Sequence, residues 1–312
     1  MSAEHDWHLL GAGSLGQLWA ALLHRAGRSV CVLLRNQARL DEYLAAGGIT
    51  LHDEHGETKV APPALVADKD TSVRRLLVAT KAHQTLDALA PFASRRLSDI
   101  TIGLLQNGMG VAEDVQSLLP QVRIYPLVTT IGAWRDAQFS VHRAGRGKTV
   151  VGRHGREAGG QDVLEVVRSL RAPGLDVEIS GDIRAAQWRK LAVNCVVNPL
   201  TALLDIRNGE VLTDARAKTM IAPLCAEVAA VMTAEGLSVQ ADDLRELVEA
   251  TCRATADNYN SMQQDLSSGR RTEIDYITGY LLARAAVHDV DCPVNESLYE
   301  DIKRREAGAS VR

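Results

Sequence analysis

A glycine-rich segment near the amino terminus constrains the fold of this 312-residue chain most strongly. The apolar pair Leu9-Leu10 leads into Gly11-Ala12-Gly13-Ser14-Leu15-Gly16, and a helical pattern follows over residues 17–26. The first glycine of such a segment permits a tight turn, the second lets a pyrophosphate approach the backbone, and the third lets a helix pack on a strand. The segment therefore predicts a strand, a turn and a helix whose amino-terminal N–H groups bind a dinucleotide. An ordinary glycine-rich turn is the alternative.

The first half of the chain alternates short apolar runs with helical patterns, which is typical of a mostly parallel sheet with helices on both faces. A polar, glycine-rich stretch at 153–160 is predicted to be a loop of the same domain, because apolar periodicity resumes at Val163. Residues 139–152 and 177–179 suit extra strands at the sheet edge. The main predicted strands are residues 7–10, 29–34, 75–80, 101–105 and 124–127.

From residue 182 onward the pattern is almost entirely amphipathic helix, including residues 223–235, 241–259 and 272–288. We therefore predict an α/β chain of two domains. Residues 1–181 are predicted to form a Rossmann-type parallel-sheet domain that binds the dinucleotide, and residues 182–312 are predicted to form an all-helical domain.

The composition argues against several classes of partner. A net charge of -4 gives the chain no long-range attraction for nucleic acid or an anionic membrane. The five cysteines are scattered without a CxxC or metal-type pattern, which favours a reducing compartment. The amino terminus does not resemble a signal peptide, and the apolar runs are too short for a bilayer. We expect a cytoplasmic monomer or homodimer that binds a small-molecule substrate and needs no metal.

The position that distinguishes an NAD site from an NADP site carries a basic residue in this chain. In an NAD site, an acidic residue about 20 positions after the glycines holds the ribose 2′-hydroxyl. Here Arg35 follows the apolar run at residues 30–34. Its guanidinium suits the 2′-phosphate of NADP, and a solvated charge at a strand end is the alternative. Lys81 follows the next apolar strand and is predicted at the same carboxyl edge of the sheet.

A further turn, Gln106-Asn107-Gly108-Met109-Gly110, follows the strand at 101–105. Its amides and glycines are candidates for contact with the nicotinamide or the substrate. Glycine-rich turns after strands are common, so an ordinary turn is an equal alternative.

A polar stripe in an apolar segment contains a candidate for an acid. Lys190, Asn194 and Asn198 are spaced i, i+4, i+8, and the residues between them are mostly apolar. Buried polar groups need partners, which a ligand cleft supplies, and a lysine in a cleft can act as an acid near neutral pH. A structural polar network is the first alternative, and a strand with period-2 alternation is the second. Pro199 predicts a kink after Asn198.

Three further polar residues lie in the last third of the chain. Asn258 and Ser261 are spaced i, i+3 at the end of a predicted helix. Glu273 follows Thr272 and precedes Asp275, a spacing close to a capping box at a helix start. From spacing alone, a structural role for Glu273 is favoured.

Together these segments resemble the ketopantoate reductases, the NADPH-dependent enzymes of pantothenate and coenzyme A synthesis. The resemblance covers nearly the whole chain, and its motifs occur in the family's order. They are Gly11 to Gly16, Thr80-Lys81-Ala82, residues 106–110, residues 188–194, residues 198–202, residues 261–265 and residues 272–276.

The resemblance implies reduction of 2-dehydropantoate by NADPH and a helical domain like that of 6-phosphogluconate dehydrogenases. It makes Lys190 the general acid and Glu273 a residue of substrate binding and catalysis. It makes Arg35 and Lys81 the pair that holds the 2′-phosphate. Asn107 and Glu273 are also expected to contact the cofactor. The implied substrate-binding residues are Asn107, Asn194, Asn198, Asn258 and Ser261, and Asn208 is implied to be supportive. Reduction of another 2-keto acid or an imine, or a non-catalytic NADPH sensor, is the alternative.

Overall fold

The computed structural model describes residues 5–68, 71–93, 100–155 and 160–309. The chain forms two compact units, Met1–Gln106 with Val111–Ala186 and Asn107–Gly110 with Gln187–Arg312. The short segment Asn107–Gly110 therefore belongs with the helical unit, although the residues on either side of it belong to the first unit. The sequence predicted a boundary between two domains at residues 181 and 182. That boundary stays a prediction, because compact units need not fold independently.

The first unit contains two sheets. Its strands are β1 (Trp7–Leu10), β2 (Val30–Leu34), β3 (Ile49–Asp53), β4 (Gly56–Val60), β5 (Ala64–Val66), β6 (Arg75–Val78), β7 (Thr101–Leu104), β8 (Arg123–Thr129), β9 (Ala133–Ala137), β10 (Ser140–Arg143), β11 (Lys148–Val151) and β12 (Asp176–Ile179). Its helices are α1 (Ser14–Arg25), α2 (Gln37–Ala46), α3 (Thr85–Ala93), α4 (Val111–Leu118) and α5 (Gln161–Leu170).

The larger sheet has eight strands in the order β12-β11-β8-β7-β6-β1-β2-β5. Its strand pairs are parallel except for β8 with β11. Strands β1 and β2 are buried along their whole length, as expected of continuous apolar strands covered on both faces. The predicted mostly parallel sheet is confirmed. Of the predicted loop at 153–160, residues 156–159 lie outside the described residues.

The smaller sheet, in the order β4-β3-β10-β9, was not predicted. Buried Leu51 and Val141 lie on one face of it, and helix α1 packs against its strands β3, β9 and β10. The prediction that residues 139–152 extend the edge of the main sheet was therefore wrong for β10, which pairs with β3. It holds for β11, which pairs with β8 and β12.

The second unit is helical. Helix α6 (Ile183–Leu204) begins in the first unit and continues into the second. The remaining helices are α7 (Ala215–Ala234), α8 (Ala241–Ala254), α9 (Ser261–Ser267), α10 (Thr278–Val287) and α11 (Pro293–Ala309). Short 3₁₀ helices lie at Asn208–Leu212 and Ile274–Tyr276. Trp188, Leu224, Val228 and Ile302 are buried in the core of this unit.

Three predicted helix boundaries were wrong. Helix α7 begins at Ala215, before the predicted residue 223. Helix α8 ends at Ala254, before the predicted residue 259. The helix predicted at 272–288 is a 3₁₀ turn followed by α10, because Ile277 separates them with non-helical dihedral angles of φ -103° and ψ -91°.

Helix α7 is long and apolar enough to cross a membrane by length and composition, with a mean hydropathy of 1.3. The sequence analysis expected no such run. Its residues Leu224, Val228 and Val231 are buried in the core of the helical unit, and core helices of soluble proteins meet the same criteria. The five cysteines are all buried and unpaired.

Candidate functional site

The glycine turn between β1 and α1 is held by contacts that exclude larger side chains. A Cβ on Gly11, which has φ +104°, would lie 2.7 Å from the backbone N of Thr80. A Cβ on Gly16 would lie 1.9 Å from the carbonyl oxygen of Gly11. The chain itself therefore requires glycine at both positions, since close backbone packing leaves no room for a methyl group.

Gly13 is different, because the protein does not require a glycine there. Its φ is -74°, and a Cβ would meet only the Ala79 carbonyl oxygen, at 3.7 Å. Gly13 caps helix α1 without a side-chain hydrogen bond, and the first turn of α1 has no acidic residue. This helix start therefore presents backbone N–H groups and a positive dipole end to an anion that comes close to Gly13.

The Ala12 carbonyl of this turn is held by two side chains. Gln17 Nε2 donates to it at 2.8 Å, and Arg135 Nη1 donates to it at 3.4 Å. Arg135 pairs with buried Val141 across β9 and β10, so its side chain starts on the face of the small sheet that packs on α1. Sequence analysis missed Arg135, because only the pairing of distant strands brings it to the glycine turn.

Arg35 and Lys81 follow β2 and β6, the two strands that flank β1 in the sheet. Parallel strands place their carboxyl ends at one edge, so both cations lie at the edge that carries the glycine turn. Arg35 is exposed, and no ion pair engages it among the described residues. Lys81 is partly buried at the start of a 3₁₀ turn. The first unit thus has a glycine turn at a helix start and two cations at the same edge of its sheet.

In the helical unit, Lys190, Asn194 and Asn198 form the predicted stripe on helix α6. Lys190 and Asn194 are partly exposed, and Asn198 is buried. The alternative of a strand was wrong. Helix α6 continues past Pro199 as far as Leu204, and the kink expected after Asn198 stays a prediction. The stripe therefore continues over two turns of one helix.

The electrostatic environment of Lys190 suits an acid. Burial of its ammonium group lowers its pKa from 10.5 to about 8, and the negative charge of Glu273 opposes that shift. Lys190 as a whole residue is intermediate between buried and exposed. A group with a pKa of about 8 is largely protonated at neutral pH and can still release its proton readily.

Glu273 is held beside Asn107 within this unit. It is 5% exposed, and Asn107 Nδ2 donates to its Oε2 at 3.3 Å. The Met109 N–H donates to the Tyr276 carbonyl at 2.9 Å, and a Cβ on Gly108 would lie 2.2 Å from that oxygen. The segment at 107–110 is therefore fixed to the segment that carries Glu273.

The predicted capping box at Thr272 did not form. Thr272 Oγ1 accepts a hydrogen bond from the N–H of Ile274 at 3.1 Å, but Asp275 has other partners. It accepts hydrogen bonds from Arg271 at 2.9 Å, from Tyr299 at 2.9 Å and from Lys303 at 3.1 Å. These contacts tie the Glu273 segment to α11, so the acidic residue that was expected to cap a helix fixes the backbone beside Glu273.

Asn258 and Ser261 lie between the end of α8 and the first residue of α9, rather than at the end of the predicted helix. Asn258 is exposed after α8, and Ser261 is the first residue of α9. Asn260, which sequence analysis missed, caps α9 by accepting hydrogen bonds from two N–H groups. Its amide also donates to Thr201 and, at 3.2 Å, to Asn208 Oδ1. The N–H of Asn208 donates to the Asn258 carbonyl at 3.0 Å, so this network fixes the connection to α6.

Comparison with known proteins identifies the family. A model described as ketopantoate reductase PanE/ApbA matches residues 7–156, and a model of its C-terminal part matches residues 182–306. A 2-dehydropantoate 2-reductase of Salmonella typhimurium is 39% identical over 309 residues, covering 96% of this chain and 94% of the relative. The chain belongs to the ketopantoate reductase family. The resemblance predicted from its motifs is confirmed.

Solved structures confirm the predicted fold class. That of a probable 2-dehydropantoate 2-reductase from Bacillus subtilis has a TM-score of 0.80 at 29% identity, covering 96% of this chain and 99% of the other. The ternary structure of D-mandelate dehydrogenase with NADH and anilino(oxo)acetate has a TM-score of 0.87 at 23% identity, covering 98% of this chain and 99% of that one. At that identity the second likeness shows a shared fold alone.

The geometry of the glycine turn predicts different effects of alanine at two positions. We expect Gly13→Ala to change the free energy of unfolding by less than about 1 kcal/mol, since its Cβ meets no protein atom closer than 3.7 Å. We expect it to weaken NADPH binding at least about tenfold, because the methyl group keeps the pyrophosphate from the backbone. Gly16→Ala is the control, and we expect it to lower the melting temperature markedly. Normal NADPH affinity in Gly13→Ala would contradict this assignment.

Proposed function

We propose that this protein reduces 2-dehydropantoate to pantoate with NADPH, in the cytoplasm. The observation that carries the proposal is the charge interaction between Lys190, whose pKa is lowered, and buried Glu273 in a chain that belongs to the ketopantoate reductase family. Curated relatives at 36–39% identity over nearly the whole chain are named 2-dehydropantoate 2-reductases. The oligomeric state, monomer or homodimer, stays a prediction.

The residues of the first unit fit NADPH. Gly11 to Gly16 would hold its pyrophosphate at the start of α1, and Arg35 with Lys81 would bind the 2′-phosphate. Arg135 adds a positive charge at the Ala12 carbonyl, beside the pyrophosphate position. When bound, NADPH supplies a hydride to the carbonyl carbon of the substrate.

Lys190 supplies the proton in this proposal. As the carbonyl carbon gains the hydride, negative charge develops on its oxygen, and the Lys190 ammonium protonates that oxygen to give the 2-hydroxy acid. The neutral amine then takes a proton from solvent, which restores the acid for the next turnover. A positioned cation stabilises the developing alkoxide before the proton moves, which lowers the barrier further.

Polar groups on the same helix face orient the substrate. Asn194 and Asn198 lie one and two turns beyond Lys190 on α6, and their amides suit the hydroxyl and carboxylate groups of a hydroxylated keto acid. Asn258 and Ser261 supply further polar contacts from their connection. Glu273 and Asn107 complete the site, where Glu273 binds substrate and cofactor and also holds up the pKa of Lys190.

The direct test of the proposal is loss of NADPH absorbance on addition of 2-dehydropantoate to the purified protein. Other 2-keto acids, cyclic imines and NADH are assayed in parallel. We expect rapid oxidation of NADPH with 2-dehydropantoate and much slower oxidation with the other substrates. Equal or faster reduction of another carbonyl compound or an imine would overturn the assignment of 2-dehydropantoate as the substrate. Tight NADPH binding without oxidation by any substrate would indicate a sensor.

The role of Lys190 predicts the pH dependence of the reaction. Lys190 is protonated below its pKa of about 8, so kcat/KM should be level at lower pH and fall above that value. Glu273→Gln removes the charge that raises the Lys190 pKa, so the falling limb should move to lower pH. Glu273→Asp keeps the charge and is the matched control. We expect Lys190→Ala to reduce kcat by about 100-fold or more. A falling limb that stays in place in Glu273→Gln, or full turnover in Lys190→Ala, would contradict the assignment.

Two arginines should affect cofactor binding in different ways. Arg35 faces a group that only NADPH carries, so Arg35→Ala should raise the KM for NADPH about tenfold and leave that for NADH unchanged. Arg135 acts on the pyrophosphate common to both cofactors, so Arg135→Ala should raise both KM values by a similar factor. Arg146→Ala, which changes an arginine with an 80% exposed side chain, is the control. A selective loss of NADPH affinity in Arg135→Ala would reassign Arg135 to the 2′-phosphate.

A further inference from the structure

The face of the small sheet opposite Leu51 and Val141 carries a row of ring side chains. His142 pairs with Trp134 on one side and with His52 on the other, and His52 pairs with Glu57 in turn. The three rings therefore lie on the neighbouring strands β9, β10 and β3, and Glu57 continues the row onto β4. The His52 and His142 rings stack with their centroids 4.0 Å apart and an angle of 4° between their planes. The Trp134 and His142 rings stack with their centroids 4.0 Å apart and an angle of 7° between their planes.

A carboxylate completes a set of metal-type ligands. His142 Nε2 lies 2.8 Å from Oδ2 of Asp136, two residues beyond Trp134 on the same face of β9. One ligand atom each from His52, His142 and Asp136 can be chosen so that all lie within 4.8 Å of one another. None of the three has a role in the proposed reduction. The two imidazoles are partly exposed and Asp136 is exposed, so water can supply further ligands.

We propose that His52, His142 and Asp136 form a binding site for a divalent transition metal of the zinc class. Two imidazole nitrogens and one carboxylate oxygen are a donor set that Zn²⁺, Ni²⁺ and Cu²⁺ accept, whereas Mg²⁺ prefers oxygen ligands alone. The three residues lie on three strands, β3, β10 and β9, so a bound ion links strands that are distant in the chain. The site lies on the first unit, and its occupation is independent of the proposed reductase activity.

Binding requires one ring to move. Stacked parallel rings direct their nitrogen lone pairs along parallel planes, so two such rings cannot both aim a lone pair at one ion. A turn of His142 or His52 about its Cβ–Cγ bond corrects this, and that torsion is broad for histidine. The same turn changes the stacking of His142 on Trp134. Metal binding should therefore alter the surroundings of the Trp134 indole.

The fluorescence of Trp134 tests the proposal. Trp134 is 42% exposed, whereas Trp7, Trp19 and Trp188 are at most 1% exposed, so a change at the sheet surface reports mainly on Trp134. The EDTA-treated full-length protein is titrated with ZnCl₂ and, separately, with MgCl₂. We expect Zn²⁺ to change the emission with a stoichiometry of one and a Kd below about 10 μM, and to raise the melting temperature by mass action. Mg²⁺ should do neither.

Matched variants separate this site from other histidines. His142→Ala and His52→Ala should each weaken Zn²⁺ binding at least about tenfold, which corresponds to roughly 1.4 kcal/mol. His55→Ala, in the exposed turn between β3 and β4 of the same sheet, should bind Zn²⁺ normally. Trp134→Phe should lose the emission change and keep the thermal shift. All four variants should oxidise NADPH at the normal rate, which verifies that they fold.

Three results would overturn the proposal. The first is Zn²⁺ affinity unchanged in both His52→Ala and His142→Ala. The second is loss of Zn²⁺ binding in His55→Ala. The third is an emission change that appears only at millimolar Zn²⁺, which would mean an adventitious ion only.

Discussion

The electrostatic interaction between Lys190 and Glu273 is the constraint on which the proposed chemistry depends. Burial alone favours a neutral lysine, and the nearby carboxylate restores part of its proton affinity. The fall in pKa from 10.5 to about 8 corresponds to roughly 3 kcal/mol by which folding disfavours the protonated form. Because the folded-state pKa is the lower one, this cost is present at neutral pH, where Lys190 is protonated. It is removed as the pH rises from about 8 towards 10.5.

A carboxylate with this task must be fixed, and much of the helical unit serves to fix it. Asp275 ties the backbone beside Glu273 to α11 through Tyr299 and Lys303. From the other side, the segment at 107–110 binds the same backbone and brings the Asn107 amide to the carboxylate. This segment belongs to the helical unit because its hydrogen bonds and the close contacts of its glycines are made with residues of that unit.

Local patterns predicted most of the fold, and they supplied most residues of the proposed site, because their information lies within one element. The glycine turn and the Lys190 stripe are read from spacing, and neighbouring parallel strands bring Arg35 to the turn. The wrong or missing predictions lie where contacts between residues far apart in the chain determine the structure. Arg135 reaches Ala12 only through the pairing of β9 with β10, and the small sheet pairs β3 with a strand far along the chain. Asp275 has the spacing of a helix cap, but tertiary partners bind it instead.

The start of α1 shows how a functional residue can be separated from a structural one. Gly11 and Gly16 would be needed in a protein that bound nothing, because a Cβ at either would collide with backbone. Gly13 would not, and α1 begins without a side-chain cap or an acidic residue in its first turn. No acidic side chain in the first turn interacts with the positive end of the α1 dipole. A bound anion can supply that stabilisation instead. Gly13 and Lys190 are therefore positions whose residues the proposed function explains and the stability of the fold does not.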